Sequence, residues 1–423
     1  MKKNLLLIAS IFVSGLAMAQ TEVTIPMEAA YAKQVYYKFS TNTQTAVAAN
    51  SWDIAVEKAP GMMSLGGIRV NDGIGIRTFQ ASASAADWAT ISVANEAGWT
   101  ELYNSDTTWS TGSIDQGTAG YGWGDYNVNG DHHVTGTVIY VLKYSATSYK
   151  KFFVEDYNPF TNLITIKHAT WDNTAAAWGA DQTYIVDNAA LAEGYSWNYI
   201  SLGTNGAATV APADADWDIV FRKYFTEVTA QGQTAMYNVT GVFHNDNVTV
   251  AQVDVAGTTG PAAPAEDAYS GDINTIGDDW KTFGGASYTM GDHTYFLKYA
   301  NGAIYRFYFT AFEGSATGVV KFNSQNIATA GLEDVNGNIS FGIYPNPAVN
   351  KNITLVYDLK NSSSDKNTVS IYSLSGAKVF ETEITNNSGF YTKDLNLSNL
   401  SSGMYIVKME SGNASVTQKL VIQ

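Results

Sequence analysis

Asp216-Trp217-Asp218-Ile219-Val220-Phe221-Arg222-Lys223 opens on a Trp-Asp pair and runs into apolar residues that alternate with polar ones. That period of two is the pattern of a strand with one buried face. Ser51-Trp52-Asp53-Ile54-Ala55-Val56-Glu57-Lys58 repeats the pattern 165 residues earlier. A tryptophan at the head of a strand brings a large buried area, and the aspartate beside it caps the preceding turn. Two copies in one chain predict a duplicated β unit.

Other landmarks recur in the same order. Val35-Tyr36-Tyr37-Lys38-Phe39-Ser40 precedes the first Trp-Asp strand, and Trp197-Asn198-Tyr199-Ile200-Ser201-Leu202 precedes the second. Asn71-Asp72 follows the first and Asn245-Asp246 the second. Asn-Asp-Gly at residues 71–73, between Gly66–Val70 and Ile74–Arg77, predicts a hairpin, because Asn and Gly accept the positive φ of tight turns. Gly130-Asp131-His132 and Gly291-Asp292-His293 each lead into a Leu-Lys-Tyr strand. Tyr149-Lys150-Lys151-Phe152-Phe153 and Tyr305-Arg306-Phe307-Tyr308-Phe309 each continue the meander. Residues 85–110 carry three tryptophans and are expected to include a short helix. Asp125, Asn127, Asn129 and Gly130 imitate the start of a calcium loop, but its twelfth position is Gly136 rather than a carboxylate, so an Asn/Gly-rich turn is expected there.

The expected fold is all-β, with two tandem related β-sheet or sandwich domains at 20–185 and 186–330. A linker at 331–340 leads to a small C-terminal β-sandwich at 341–423. Met1 to Ala19 reads as a secretory signal peptide, with Lys2-Lys3, an apolar core and a small-residue cleavage site. No later run is long and apolar enough to span a bilayer. The chain has no cysteine, which excludes disulfides, thiol catalysis and Cys-bound metals. Its formal charge is −15, or −17 once Lys2 and Lys3 leave with the leader, and no basic cluster is present. Nucleic acid and anionic lipid are therefore not expected partners.

The tail resembles the type A C-terminal sorting domain of the type IX secretion system of Bacteroidota. The residues that carry the resemblance are Tyr344-Pro345-Asn346-Pro347, Ile371-Tyr372 with Gly376, Gly403-Met404-Tyr405-Ile406-Val407, and Lys419-Leu420-Val421-Ile422. It implies passage through the periplasm and across the outer membrane by the type IX machinery. The tail is then removed or exchanged for a surface anchor, leaving the protein secreted or on the cell surface.

Residues 22–330 resemble the HmuY-like family of secreted haem-binding proteins through the Trp-Asp-Ile strands, the Ile68–Gly73 segment and the aromatic meander. That resemblance implies haem held between two axial side chains. His132 or His133 with His168 would serve the first repeat, and His244 with His293 the second, with Met236 and Met290 as thioether substitutes. His244 aligns with Val70, so the two repeats do not share one ligand set. The alternative is that these histidines are turn residues bonded to the backbone. A glycan-binding reading rests on 10 Trp and 26 Tyr in an acidic β scaffold, and an adhesive or surface-layer role needs no pocket. No Gly-x-Ser-x-Gly elbow, His-Glu-x-x-His helix or phosphate loop is present, so no enzyme is expected.

Overall fold

A computed structural model describes residues 20–58, 65–230, 232–255, 263–328, 339–359, 367–373, 376–385, 387–411 and 414–423. The signal peptide expected at 1–19 and residues 331–338 of the expected linker lie outside the described residues. Strands joined by turns and short 3-10 segments make up the described residues, so the fold is all-β. It divides into two compact units, residues up to 297 with Tyr305–Gln325, and Lys298–Ile304 with Asn326–Gln423.

In the first unit each repeat has a body and an arm. The body of the first repeat contains the antiparallel meander Ile139–Ser145, Ser148–Asn158 and Leu163–Asp172. Arg77–Ser82 extends this sheet on one side and Gln182–Asp187 on the other. The second repeat has the equivalent sheet, in which Val248–Val253, Thr294–Tyr299, Ile304–Phe312 and Val319–Ala328 lie in order and Thr21–Pro26 completes the edge. Thr21–Pro26 of the first repeat thus covers the last strand of the second, and Gln182–Asp187, which straddles residues 185 and 186, covers Leu163–Asp172.

The Trp-Asp strands repeat this exchange. Ile54–Glu57 pairs with Trp197–Ser201 of the second repeat, while Ile219–Ala230 pairs with Lys33–Lys38 of the first. The pairing therefore does not follow a division at residues 185 and 186. Residues 182–208 are built into the sheets of the first body, and residues 21–48 into those of the second. The physical reason is edge satisfaction: each Trp-Asp strand otherwise presents unpaired N–H and C=O groups, and the hairpin arm of its twin occupies them.

Behind these sheets lie ordinary apolar cores. Ile54, Val56 and Ile68 from the small sheet of the first body pack in one cluster with Tyr140, Leu142, Phe152 and Val154 from its large sheet. The second body is more aromatic: Phe221, Phe307, Phe309 and Phe322 are in ring contact, and Tyr37 and Phe39 of the first arm join them.

The hairpin expected at Asn71-Asp72-Gly73 is absent. Ile68–Val70 pairs with Ile54–Glu57, and Arg77–Ser82 pairs with Ile139–Ser145, so the segment crosses from one sheet to another. Asn71 is committed elsewhere, its Nδ2 donating to the carbonyls of Ala49 and Trp52 at 2.8 and 2.9 Å. Asn245 does the same for the second copy, donating to Asp214 and Trp217 at 2.9 and 3.1 Å. The Asn-Asp landmark is thus a brace for the Trp-Asp turn. Residues 85–98 form two 3-10 segments. Gly124–Tyr126 and Val134–Gly136 form a hairpin, within which Asp125 accepts from the Gly120 N–H and Asn127 donates to Asp131.

The tail is a sandwich of two antiparallel sheets. Ile339–Tyr344, Asn352–Leu359 and Gly389–Asn396 form one, and Lys378–Ile384, Asn367–Ser373, Gly403–Ser411 and Ala414–Ile422 the other. Leu355, Leu359, Ile371, Val407 and Leu420 are among its core residues.

Candidate functional site: an aromatic cleft between the repeats

Where the two bodies meet, a cleft of about 70 Å³ is lined by Tyr36, Trp109, Trp197, Tyr199, Trp217 and Arg222, with Ser196, Asp214 and Asn245 to Asn247 around them. Five aromatic side chains from four separate segments converge there. Tyr36 and Tyr199 hold the same place in the two arms, and each meets the other repeat's tryptophan edge-on. Tyr36 lies 5.2 Å from Trp217 and Tyr199 lies 5.1 Å from Trp52, with ring planes 78° and 79° apart. Burial pushes the Tyr199 phenol up to about 12 and that of Tyr36 well above its ordinary value, so both stay neutral.

Trp109 is brought in by a buried cation. The Arg69 guanidinium donates to the carbonyls of Ser105, Thr108, Trp109 and Thr111 at 2.7 to 3.2 Å, clamping the loop that carries Trp109. Burial lowers Arg69 to about 10, which leaves it charged at neutral pH. Trp109 then sets its edge against Trp217 and Phe243 and donates its indole N–H to the His244 carbonyl at 2.9 Å. Arg222 pairs with Asp72 at 2.6 Å, both 6% exposed, and its guanidinium lies over the Trp52 ring.

Among the described residues, two buried indole N–H groups find no partner, those of Trp52 and Trp217. Trp52 is 2% exposed and lines none of the described cavities, whereas Trp217 is 7% exposed and lines the cleft. Both indole nitrogens are closed off from solvent, and both stand at the head of a Trp-Asp strand, so the unpaired N–H is a feature that the two copies of the motif share.

The structure disperses the five histidines. His133 pairs with Asp156 at 2.9 Å, and His293 pairs with Asp254 at 2.9 Å. His168 bonds Asn205 through Nε2, and His244 bonds the Asn245 carbonyl through Nδ1. Burial lowers both of these imidazoles, which favours the neutral form. Neutral imidazole suits haem iron, but His168 and His244 are shut inside the protein at 1% and 0% exposure. His132 alone of the five lines a described cavity, one of about 140 Å³ beside Tyr126, Val134 and Tyr157. The largest described cavity, about 280 Å³, is lined by none of them. Cavities for drug-sized ligands run to roughly 300–1,000 Å³. The residues as arranged do not fit a haem. Met236 and Met290 sit on separate strands, opposite Glu227 and Lys281.

In the tail, Asn346 clips its loop to the last strand. Its Nδ2 donates to the Lys419 carbonyl at 2.7 Å, and its Oδ1 accepts from the Val421 N–H at 2.9 Å. Both flanking prolines, Pro345 and Pro347, follow cis peptide bonds, and Tyr344 is 75% exposed. Gly376 takes a φ of +83° in its turn, Gly403 opens a strand, and the Tyr405 hydroxyl donates to the Ser401 carbonyl.

Sequence reasoning took Tyr36, Trp197, Tyr199 and Asp246 only as landmarks of the repeat, and none of these, nor Trp109 or Asp214, as a site residue. The available signal was the tyrosine found at the same place in both arms.

No curated protein and no solved structure matches the chain, and the resemblance of residues 22–330 to the haem-binding family finds no support. Among the described residues no helix is long and apolar enough to cross a membrane. Residues 342–423 match the family described as a secretion system C-terminal sorting domain, so the chain carries the tail of a protein exported by type IX secretion to the cell surface or beyond it.

Proposed function

We propose that the exported protein is a non-enzymatic binding protein whose junction cleft receives a sugar ring. The carrying observation is the convergence of Tyr36, Trp109, Trp197, Tyr199 and Trp217 on one cleft. Aromatic faces match the C–H surface of a pyranose, and the carboxylate and amide groups of Asp214, Asn245 and Asn247 suit its hydroxyls. The rigid clamp from Arg69 to the Trp109 loop supports this reading, because preorganised aromatic walls lower the cost of binding.

A glycan array probed with the mature chain, followed by calorimetry on the best hits, tests it. The expected result is saturable binding to a carbohydrate that is lost in Trp197→Ala. An array without hits, or hits untouched by Trp197→Ala and Trp109→Ala alike, overturns it.

A further inference from the structure

We propose that Thr21–Pro26 is an exchangeable strand: it leaves the sheet of its own chain, completes the same sheet in a second copy, and so joins copies of the exported protein.

The strand lies at the edge of its sheet and pairs with Val319–Ala328, in register from Thr21 opposite Ser324 to Pro26 opposite Val319. Val23, Ile25 and Met27 are buried, while Glu22 and Thr24 are exposed. A second copy offers the same backbone ladder and the same apolar seat. Exchange therefore conserves these contacts, and the two forms differ mainly in the link that joins the strand to Lys33–Lys38. Within one chain that arm already serves the other repeat, pairing with Ile219–Ala230, so exchange between copies extends a pairing the fold uses.

The link is strained. Glu28, Ala30 and Tyr31 take φ of +63°, +56° and +58°, a region that residues other than glycine enter at a cost. The Glu28 backbone is also pressed onto the turn beside it, where a Cβ on Gly318 would collide with the Glu28 carbonyl oxygen. The other arm is an internal control. Residues 188–196 make the equivalent link between Gln182–Asp187 and Trp197–Ser201. That link is longer than residues 27–32, and its one positive φ falls on Gly194. The topology thus does not require the strain. A short, strained hinge favours exchange, because it relaxes when its strand moves to a neighbour. Tyr31 stacks on Phe312 with ring centres 6.2 Å apart and holds the hinge closed, so exchange needs the high local concentration of chains crowded on a surface.

The test uses the exported chain, whose lack of cysteine makes engineered pairs unambiguous. Thr24 stands opposite Lys321. Chains carrying Thr24→Cys and chains carrying Lys321→Cys are unfolded, mixed, refolded at high concentration and oxidised. The expected product is a covalent dimer with a disulfide between positions 24 and 321, identified by mass spectrometry, with a yield that rises with chain concentration. Glu28→Gly with Ala30→Gly, added to both chains, relieves the hinge and should lower that yield about tenfold or more. Absence of the 24–321 link between chains overturns the exchange when the double variant Thr24→Cys with Lys321→Cys closes within its own chain. Equal yields with and without the two glycines overturn it as well, because the hinge strain is then not what drives the strand out. An unaltered chain that stays wholly monomeric by light scattering after the same refolding overturns it whatever the disulfides do.

Discussion

The carboxylate of Asp218 accepts the backbone N–H of Phe39 at 2.7 Å, although 179 residues separate them. Its other oxygen accepts from Lys38 Nζ at 2.6 Å. Asp53 makes the same bond to the N–H of Leu202 at 2.7 Å and accepts from the Tyr144 hydroxyl. The Trp-Asp motif is therefore a lock for the arm of the other repeat. Asp218→Ala removes the acceptor of the buried Phe39 N–H and the ion pair to Lys38, and should cost about 2–4 kcal/mol. Equilibrium denaturation checks this, and an unchanged midpoint would refute the lock.

Arg222 and Asp72 join the two repeats by a buried ion pair, with Arg222 also donating to the Lys223 carbonyl. Arg222→Met strands the Asp72 charge in the interior and should destabilise by about 3–5 kcal/mol. Adding Asp72→Asn removes the stranded charge, so the double variant should recover much of that loss. A double-mutant cycle measures it, and simple additivity would show that the pair is not coupled.

Much of this was legible before the fold was known, and the rest was not, for reasons tied to particular residues. The period-two runs after Trp52 and Trp217 predicted strands, and Ile54–Glu57 and Ile219–Ala230 are those strands. The exchange of arms was hidden because pairing partners are a matter of long-range closure, on which Lys33–Lys38 and Trp197–Ser201 carry no local signal. Asn71 misled in the same way: Asn-Asp-Gly suits a hairpin locally, but its amide is taken by Ala49 and Trp52. The cleft was invisible because its aromatic walls come from residues 36, 109, 197, 199 and 217, which only the exchange brings together. The histidines drew attention by their chemistry, yet four of the five are held by an aspartate, an asparagine side chain or a backbone carbonyl.

Arg69 acts on the cleft through Trp109. Arg69→Met removes four hydrogen bonds to loop carbonyls, so Trp109 should leave its place against Trp217 and Phe243. Ligand binding should fall with it, and tryptophan emission should shift red as the indole meets water. Trp109→Phe keeps an aromatic edge but loses the bond to the His244 carbonyl, a net cost of about 1 kcal/mol, and should retain most binding. Equal binding by Arg69→Met and the unaltered protein would show that the clamp does not shape the site.

Asp115 gives stability a pH dependence of a stated sign. Burial pushes its carboxyl up to about 7 from an ordinary 3.8, despite the N–H groups of Ile68 and Gly112 that it accepts. Between those two values the folded chain holds a proton that the unfolded chain has lost, so this group's contribution to stability falls as pH rises from about 4 to about 7. Asp115→Asn cannot ionise. Its stability relative to the unaltered protein should improve across that window and level off above it. Denaturation series at pH 4, 5.5, 7 and 8 check this, and a constant difference between the two proteins would place the Asp115 pKa in the ordinary range.

In the tail, the two bonds of Asn346 make a position-specific prediction. Its amide both gives to the Lys419 carbonyl and takes from the Val421 N–H, a pairing that needs a donor and an acceptor on one side chain. Asn346→Ala loses both bonds, and the local protection of the Val421 amide should drop by about 1–3 kcal/mol. Asn346→Asp keeps an acceptor for Val421 but sets an oxygen against the Lys419 carbonyl, so it should recover little. Hydrogen exchange at the Val421 amide in the full chain reads the effect directly. Unchanged protection in Asn346→Ala would mean that the Tyr-Pro-Asn-Pro segment is not held to the last strand by this residue.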